Sequence, residues 1–264
     1  MEPLHPQQAI SKEQEEAQKQ VWDRLWSAPI SYAWDRLSEI VLQGLKEAVD
    51  GDFQGKRILE AGSGTGKISL RLALEGAQVT LVDYSKQALE QSRFAFRHKN
   101  VETAGAWVLA DIREIPLEDD TYDMCWNAGV LEHFGLEEKV RILKEMCRLT
   151  RPGGKLIVLV PYSLCLPYRL GKGYAEAAGS WPYGTEVPVA SLQEEFRLAG
   201  LEVELETNIG FVQSLDFLDF IPGSQMLKQW AVQWYDALDA EEKARLFPGY
   251  LLLTAGRVKP PVSV

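Results

Sequence analysis

Three glycines at alternate positions, Gly62, Gly64 and Gly66, form the most chemically suggestive run of the chain. They stand in Leu59-Glu60-Ala61-Gly62-Ser63-Gly64-Thr65-Gly66, behind the β-like Lys56-Arg57-Ile58-Leu59 and ahead of the helically periodic Lys67 to Leu74. A strand, a glycine turn and a helix in that order cradle a nucleotide-like ligand. Glycine lets backbone approach the ligand closely, and the helix N-terminus offers unpaired N–H groups. The dinucleotide fingerprint Gly-x-Gly-x-x-Gly is not met, because Lys67 holds the place of its last glycine. Glu60 precedes the first glycine by two residues, where a carboxylate is unhelpful to a pyrophosphate but can hold an ammonium group.

Further polar residues follow at strand ends. Asp83 closes a second strand, where its carboxylate can accept from both ribose hydroxyls. Asp111-Ile112 follows a third, where a carboxylate and a backbone N–H can read an adenine edge. Asn127 ends a fourth, beside the cradle. Just beyond it, Leu131-Glu132-His133-Phe134 supplies His133, the best candidate for a general base among three histidines; His5 lies in a polar arm and His98 at a helix end. Glu132 is read as making structural hydrogen bonds. Tyr32, Tyr162, Tyr168 and Tyr183 are placed to orient a second substrate, and Trp26 and Trp181 to wall it in.

The elements that must position these groups alternate. Strands are expected at Ala77–Asp83, Ala106–Asp111, Tyr122–Asn127, Lys155–Val160, Leu201–Glu206 and Tyr250–Ala255, with helices at Lys86–His98, Leu136–Leu149 and Ser191–Ala199. Such alternation indicates a doubly wound, mostly parallel sheet of the α/β, Rossmann-like class. Residues 1–50 read as an N-terminal helical cap segment, with two helices joined by a turn at Ala28-Pro29-Ile30, and 51–264 as the main domain. Two stretches, about 162–188 and 211–247, interrupt the alternation. Segments leaving strand C-termini overhang the ligand crevice, so both are expected to cap it. Six of the eight tryptophans (Trp22, Trp26, Trp34, Trp181, Trp230, Trp234) fall in these capping segments, as a dry substrate pocket requires.

Composition excludes several classes. A formal net charge of −10 argues against phosphate-held nucleic acid, and the chain lacks a run long and apolar enough to span a membrane. Its polar, acidic start is unlike a secretory signal. Cys125, Cys147 and Cys165 are odd in number and scattered, which suggests neither disulfides nor a metal site. Reduced thiols in a cytoplasmic protein follow.

In the order and spacing of these motifs the chain resembles the class I S-adenosylmethionine-dependent methyltransferases, particularly the ubiquinone/menaquinone-biosynthesis type that act on small molecules. The resemblance rests on the glycine run, Val82-Asp83-Tyr84-Ser85, Ala110-Asp111-Ile112 through Pro116, Tyr122-Asp123 through His133, and Leu149-Thr150-Arg151-Pro152-Gly153-Gly154-Lys155-Leu156. It implies a seven-stranded sheet whose last strand runs antiparallel. It implies S-adenosyl-L-methionine as cofactor and S-adenosyl-L-homocysteine as product, bound by Glu60, Ala61, Gly62, Ser63, Gly64, Asp83, Tyr84, Asp111, Ile112, Asn127 and Ala128. Glu60 and Gly62 would face the methionine moiety, Asp83 the ribose, and Asp111 with Ile112 the adenine. The partner is then a small-molecule acceptor, contacted by Trp26, Tyr32, Tyr162 and Trp181. Asn127-Ala128-Gly129 departs from Asn/Asp-Pro-Pro-Tyr/Phe and argues against methylation of nucleobase or glutamine nitrogens. A binding protein without turnover and a nicotinamide-dependent oxidoreductase are the competing readings. The spacing of the glycines weighs against the latter.

Overall fold

The structure, a computed structural model, describes residues 12–28, 31–49, 51–246 and 248–259. Pro29 and Ile30 of the expected turn, and His5 of the arm, lie outside the described residues. The chain runs α1 (Lys12–Ser27), α2 (Arg36–Val49), β1 (Arg57–Ala61), α3 (Lys67–Leu74), β2 (Gln78–Asp83), α4 (Lys86–His98), β3 (Gly105–Leu109), β4 (Tyr122–Ala128), α5 (Leu136–Leu149) and β5 (Thr150–Pro161). There follow α6 (Leu166–Ala177), α7 (Gln193–Leu198), β6 (Glu202–Ile209), α8 (Phe211–Ser214), α9 (Gln225–Asp236), α10 (Ala240–Leu246) and β7 (Leu251–Arg257).

Alternation of side chains along each strand builds two cores, one on either face of the sheet. Ile58, Leu81, Trp126, Ile157 and Leu253 face α2, α3 and α4. Leu59, Val82, Cys125, Leu156 and Val158 face α5 and α7. Burial on both faces is why the strands read as nearly unbroken apolar runs. The α2 stripe of Val41, Leu42 and Leu45 is buried in the first core, each side chain contributing about 1.5–3 kcal/mol.

The seven strands are ordered β3-β2-β1-β4-β5-β7-β6. Parallel pairing joins β3 through β5, whereas β7 runs antiparallel to both neighbours, so one strand reverses in an otherwise parallel sheet. Chain order turns outward in opposite directions from β1 and β4, which pair through Glu60 and Trp126. That switch opens a crevice at their C-terminal ends.

Two of the boundaries that differ from the sequence reading lie near the crevice or the sheet centre. The β5 ladder starts at Thr150 rather than Lys155, with an irregularity that opposes Tyr122 to Thr150 and then Met124 to Lys155. Gly153, at φ +79°, lies in that bend, so residues expected to precede the strand form its bulged start. The third strand ends at Leu109, which leaves Asp111 in a turn where its Oδ1 accepts from Arg113 N at 2.9 Å. The second capping stretch also behaves differently along its length. Its turn at Leu215–Phe220 packs on α6, but α9 has no buried residue, and Trp230 and Trp234 are 60% and 54% exposed. These two tryptophans face outward instead of walling the crevice.

Candidate active site

The glycine turn sits at the switch and is held by backbone. Gly62, Gly64 and Gly66 adopt φ of +76°, +50° and +63°, left-handed values that favour glycine. Gly62 N and Ser63 N donate to Val82 O at 2.8 and 2.9 Å, fastening the turn to the end of β2. Asp83 completes the fastening, its Oδ2 accepting from Gly64 N at 2.7 Å and its Oδ1 from Ser85 N at 2.8 Å. Burial pushes the Asp83 carboxyl up, against the pull of these backbone donors. Ser85 caps α4, where its Oγ accepts from Ala88 N, so the Asp83-Tyr84-Ser85 corner also sets the helix start.

Glu60, at the end of β1, is buried with one recorded hydrogen bond, from Ser69 Oγ at 2.6 Å. Desolvation raises its carboxyl to about 8, the Asp83 charge adding to the effect. Asn127, at the end of β4, is fully buried; its Nδ2 meets Met146 Sδ at 3.4 Å while its Oδ1 has no partner among the described residues. Ala61 and Ala128 close the two central strands.

Helix α1 lies across this crevice. The Trp26 ring comes within 2.9 Å of where a Gly64 Cβ would stand. Tyr84 Oη donates to Lys19 O at 3.1 Å, and Arg113 joins Glu15 to Asp111 and Glu138. Burial works against ionisation of Asp111, but Arg113 holds its carboxyl below the usual range. Its charge is thus engaged by Arg113 at the mouth of the crevice, with Ile112 buried beside it.

A second cluster surrounds the short helical turn at Leu131–His133. His133 Nδ1 lies 2.7 Å from Thr185 O; a carbonyl only accepts, so Nδ1 carries the proton and Nε2 presents its lone pair. That Nε2 has no partner among the described residues, and burial lowers the imidazole to about 4. Glu132 Oε2 is likewise buried without a partner, its Oε1 is 3.9 Å from His133 Nε2, and burial raises its carboxyl well above the usual range. Glu186 accepts from Tyr168 Oη at 2.9 Å and lies 3.6 Å from Lys172 Nζ through the same oxygen, Oε2.

The first capping stretch is pinned here, since Val187 N donates to Glu132 O at 2.9 Å. Gln18 of α1 bonds to both Tyr183 O and Thr185 N. Trp22 sets its ring edge-on to His133, 5.3 Å between centroids, and stacks on Trp26. One helix thus touches the glycine turn and the histidine at once.

The candidates for acceptor contact are dispersed. Trp181 belongs to the second cluster, with Lys172 Nζ 4.6 Å above its ring and Tyr183 and Phe220 against it. Tyr162 packs into the second core, and its N donates to Tyr250 O. Tyr32 Oη donates to Thr65 O behind the glycine turn, and Trp26 covers that turn. Trp26 and Tyr32 also line a cavity of about 530 Å³ whose other walls include Leu70 of α3 and Gln91, Phe94 and His98 of α4.

Sequence reasoning missed Lys172 and Glu186, placed Trp22 only among the capping tryptophans, and took Glu132 and Tyr168 for structural or orienting groups. One signal was present. Tyr168, Lys172 and Ala175 share a face of α6 at helical spacing, and a lysine on an otherwise apolar stripe asks for a buried partner.

Residues 59–158 match the family described as methyltransferase domain. The chain is 29% identical over 156 residues to the ubiquinone/menaquinone biosynthesis C-methyltransferase UbiE of Pectobacterium carotovorum subsp. carotovorum, covering 52% of this chain and 60% of that one. It is 26% identical over 256 residues to the 27-O-demethylrifamycin SV methyltransferase of Amycolatopsis mediterranei, covering 88% and 91%. Other curated relatives are matched over about half their length, as with 45% of the methyltransferase GfsG of Streptomyces halstedii. Among solved structures, that of the [4+2]-cyclase SpnF superposes with a TM-score of 0.62 at 22% identity over 97% of this chain and 99% of that one, a likeness of fold.

Proposed function

From the premise that the chain carries a class I S-adenosylmethionine-dependent methyltransferase domain, we propose that it catalyses methyl transfer to a small-molecule acceptor by in-line displacement in a water-poor pocket. The observation that carries this reading is Glu60, a carboxyl buried at the mouth of a glycine turn fastened by Asp83 and raised by its desolvation. Asn127 Oδ1, buried and without a donor among the described residues, could accept from an N–H on the same side of the switch.

The cofactor fits these residues. Glu60 and Asn127 would receive its ammonium, Gly62 to Gly64 its carbon chain, and Asp83 its ribose, since each Asp83 oxygen keeps a lone pair beyond the backbone donor it already serves. Tyr84, Asp111 and Ile112 would border the adenosine. When bound, the sulfonium supplies an electrophilic methyl whose transfer dissipates a positive charge. The chain's own work is then to orient and to exclude water. Proximity and alignment supply up to about 7–11 kcal/mol in such reactions. Trp26 of α1 lies on the glycine turn and Trp22 against His133, with Tyr183 and then Trp181 of the first capping stretch packed beside Trp22. His133 meets the acceptor: its Nε2 lone pair accepts the hydrogen that the nucleophilic atom carries.

Calorimetric or thermal-shift titration with S-adenosylhomocysteine and with NAD tests the cofactor. Stabilisation by S-adenosylhomocysteine alone is expected; stabilisation by NAD alone refutes the reading. Screening phenols, quinols, amines and thiols with labelled S-adenosylmethionine tests turnover. Tight binding with no methyl transfer to any of them identifies a binding protein instead.

A further inference from the structure

Atoms able to ligate a cation meet from three side chains in the second cluster, where Tyr168 Oη already donates to one of them, Glu186. One ligand atom each from Glu132, His133 and Glu186 lies within 4.8 Å of the others. Glu132 Oε2 and His133 Nε2 are buried and unpartnered. A cation between the three side chains would satisfy both unpartnered atoms at once.

Two ammonium groups stand nearby, each engaged by carboxylates. Lys139 is 3.7 Å from Glu195, and Lys172 is shared between Glu176 at 2.5 Å and Glu186 at 3.6 Å. Glu132 Oε2 and His133 Nε2 stay without a hydrogen bond from either among the described residues.

The histidine is prepared for the same role. Nδ1–H donates to the Thr185 carbonyl, the second-layer bond that fixes the tautomer and aims Nε2 at a metal. A cation equidistant from three atoms so spaced sits within about 2.8 Å of each, and side-chain rotations of a few tenths of an ångström bring it to bonding range. One imidazole and two carboxylates suit a first-row ion better than calcium or magnesium, which prefer oxygen alone.

We propose that Glu132, His133 and Glu186 form a binding site for a first-row divalent cation of the Mn²⁺ or Zn²⁺ kind. The sequence reading looked for cysteine spacing and expected no metal. The ligands come instead from the turn after β4 and from Glu186, 53 to 54 residues further on. A cation held there would occupy the His133 Nε2 lone pair, so proton acceptance by His133 would belong to the cation-free chain. Binding of the cation does not depend on methyl transfer, so each reading can fail alone.

The test uses the full-length chain stripped with chelator. It is titrated with Mn²⁺, the free ion read by electron paramagnetic resonance, and with Zn²⁺ by thermal shift. One ion per chain and a raised Tm are expected. Affinity should fall at least about 10-fold in Glu186→Gln and in His133→Gln, and stay unchanged in Glu102→Gln, whose partners are Arg93 and Arg97. No saturable binding of either ion, or full affinity in both cluster variants, overturns the proposal. Should those variants not fold, anomalous scattering from a Mn²⁺-soaked wild-type crystal decides: a peak at His133 Nε2 supports the site, and its absence there refutes it.

Discussion

Replacing Glu60 by glutamine should remove the pH dependence of cofactor binding. The Glu60 carboxyl is raised to about 8 by desolvation, so about nine-tenths of it is protonated at pH 7. An ammonium placed beside it requires the carboxylate. Binding must therefore expel about 0.9 proton at pH 7, which withdraws about 1.4 kcal/mol from the affinity. The sign follows directly. Binding favours the deprotonated form, so affinity rises with pH until the folded-state value is passed and then flattens. Between pH 6 and pH 8 the ionised fraction climbs from about 1% to about 50%, an increase of about 50-fold in affinity for S-adenosylhomocysteine, within the range where the ligand's own ammonium stays charged. Glutamine keeps the bond to Ser69 but cannot ionise, so its profile should be flat and its affinity above pH 8 about 10- to 100-fold weaker. Isothermal titration at three pH values, each in two buffers of different ionisation enthalpy, reads both affinity and proton release. A flat wild-type profile without proton release refutes the reasoning. A slope surviving in Glu60→Gln would transfer it to Asp83, whose carboxyl is raised by the same burial.

Asp83→Asn should lower S-adenosylhomocysteine affinity by at least about 10-fold and reduce Tm, because one carboxylate serves both the Gly64 and Ser85 amides; unchanged calorimetric affinity would sink the ribose assignment. In Gly66→Ala the new methyl would fall 2.0 Å from Leu81 Cδ2 at a φ of +63°, and urea titration should show a loss of roughly 2–5 kcal/mol. A loss under about 1 kcal/mol would mean that the turn and β2 repack freely. Trp22→Ala should raise the acceptor KM roughly 2- to 10-fold while leaving the Kd for S-adenosylhomocysteine within about 2-fold, since Trp22 edges His133 and only its neighbour Trp26 covers Gly64. Equal effects on both constants would contradict that division.

What was legible in the sequence was local. The bounds of α4 and α5 were readable because the periodicity is helical and Ser85 stops the strand and caps the helix within three residues. The glycine run announced its own backbone, since only glycine takes three left-handed conformations so cheaply. The reversal of β7 came from the family resemblance, as no property of Leu251–Arg257 sets its direction. The β5 start was missed because Arg151-Pro152-Gly153-Gly154 is ordinary turn chemistry that here serves a bulge. The Glu132–His133–Glu186 cluster and the contact of Trp26 with Gly64 were not readable at all. They join residues 38 to 54 positions apart through segments with no regular pairing of their own. Asp111 fell between these cases: its place after β3 was foreseen, but its capture by Arg113, reached in turn by Glu15, needed the path of α1.

That path has a kinetic consequence. Because α1 rests on Arg113, Tyr84, the glycine turn and His133 together, donor and acceptor share one door. Each opening admits solvent to both compartments, and each closing commits both occupants. A chain so built should turn over through a ternary complex, with no methylated intermediate on the protein. Product release is then expected to require α1 to part from the sheet, and a burst in the first turnover is the expected kinetic sign.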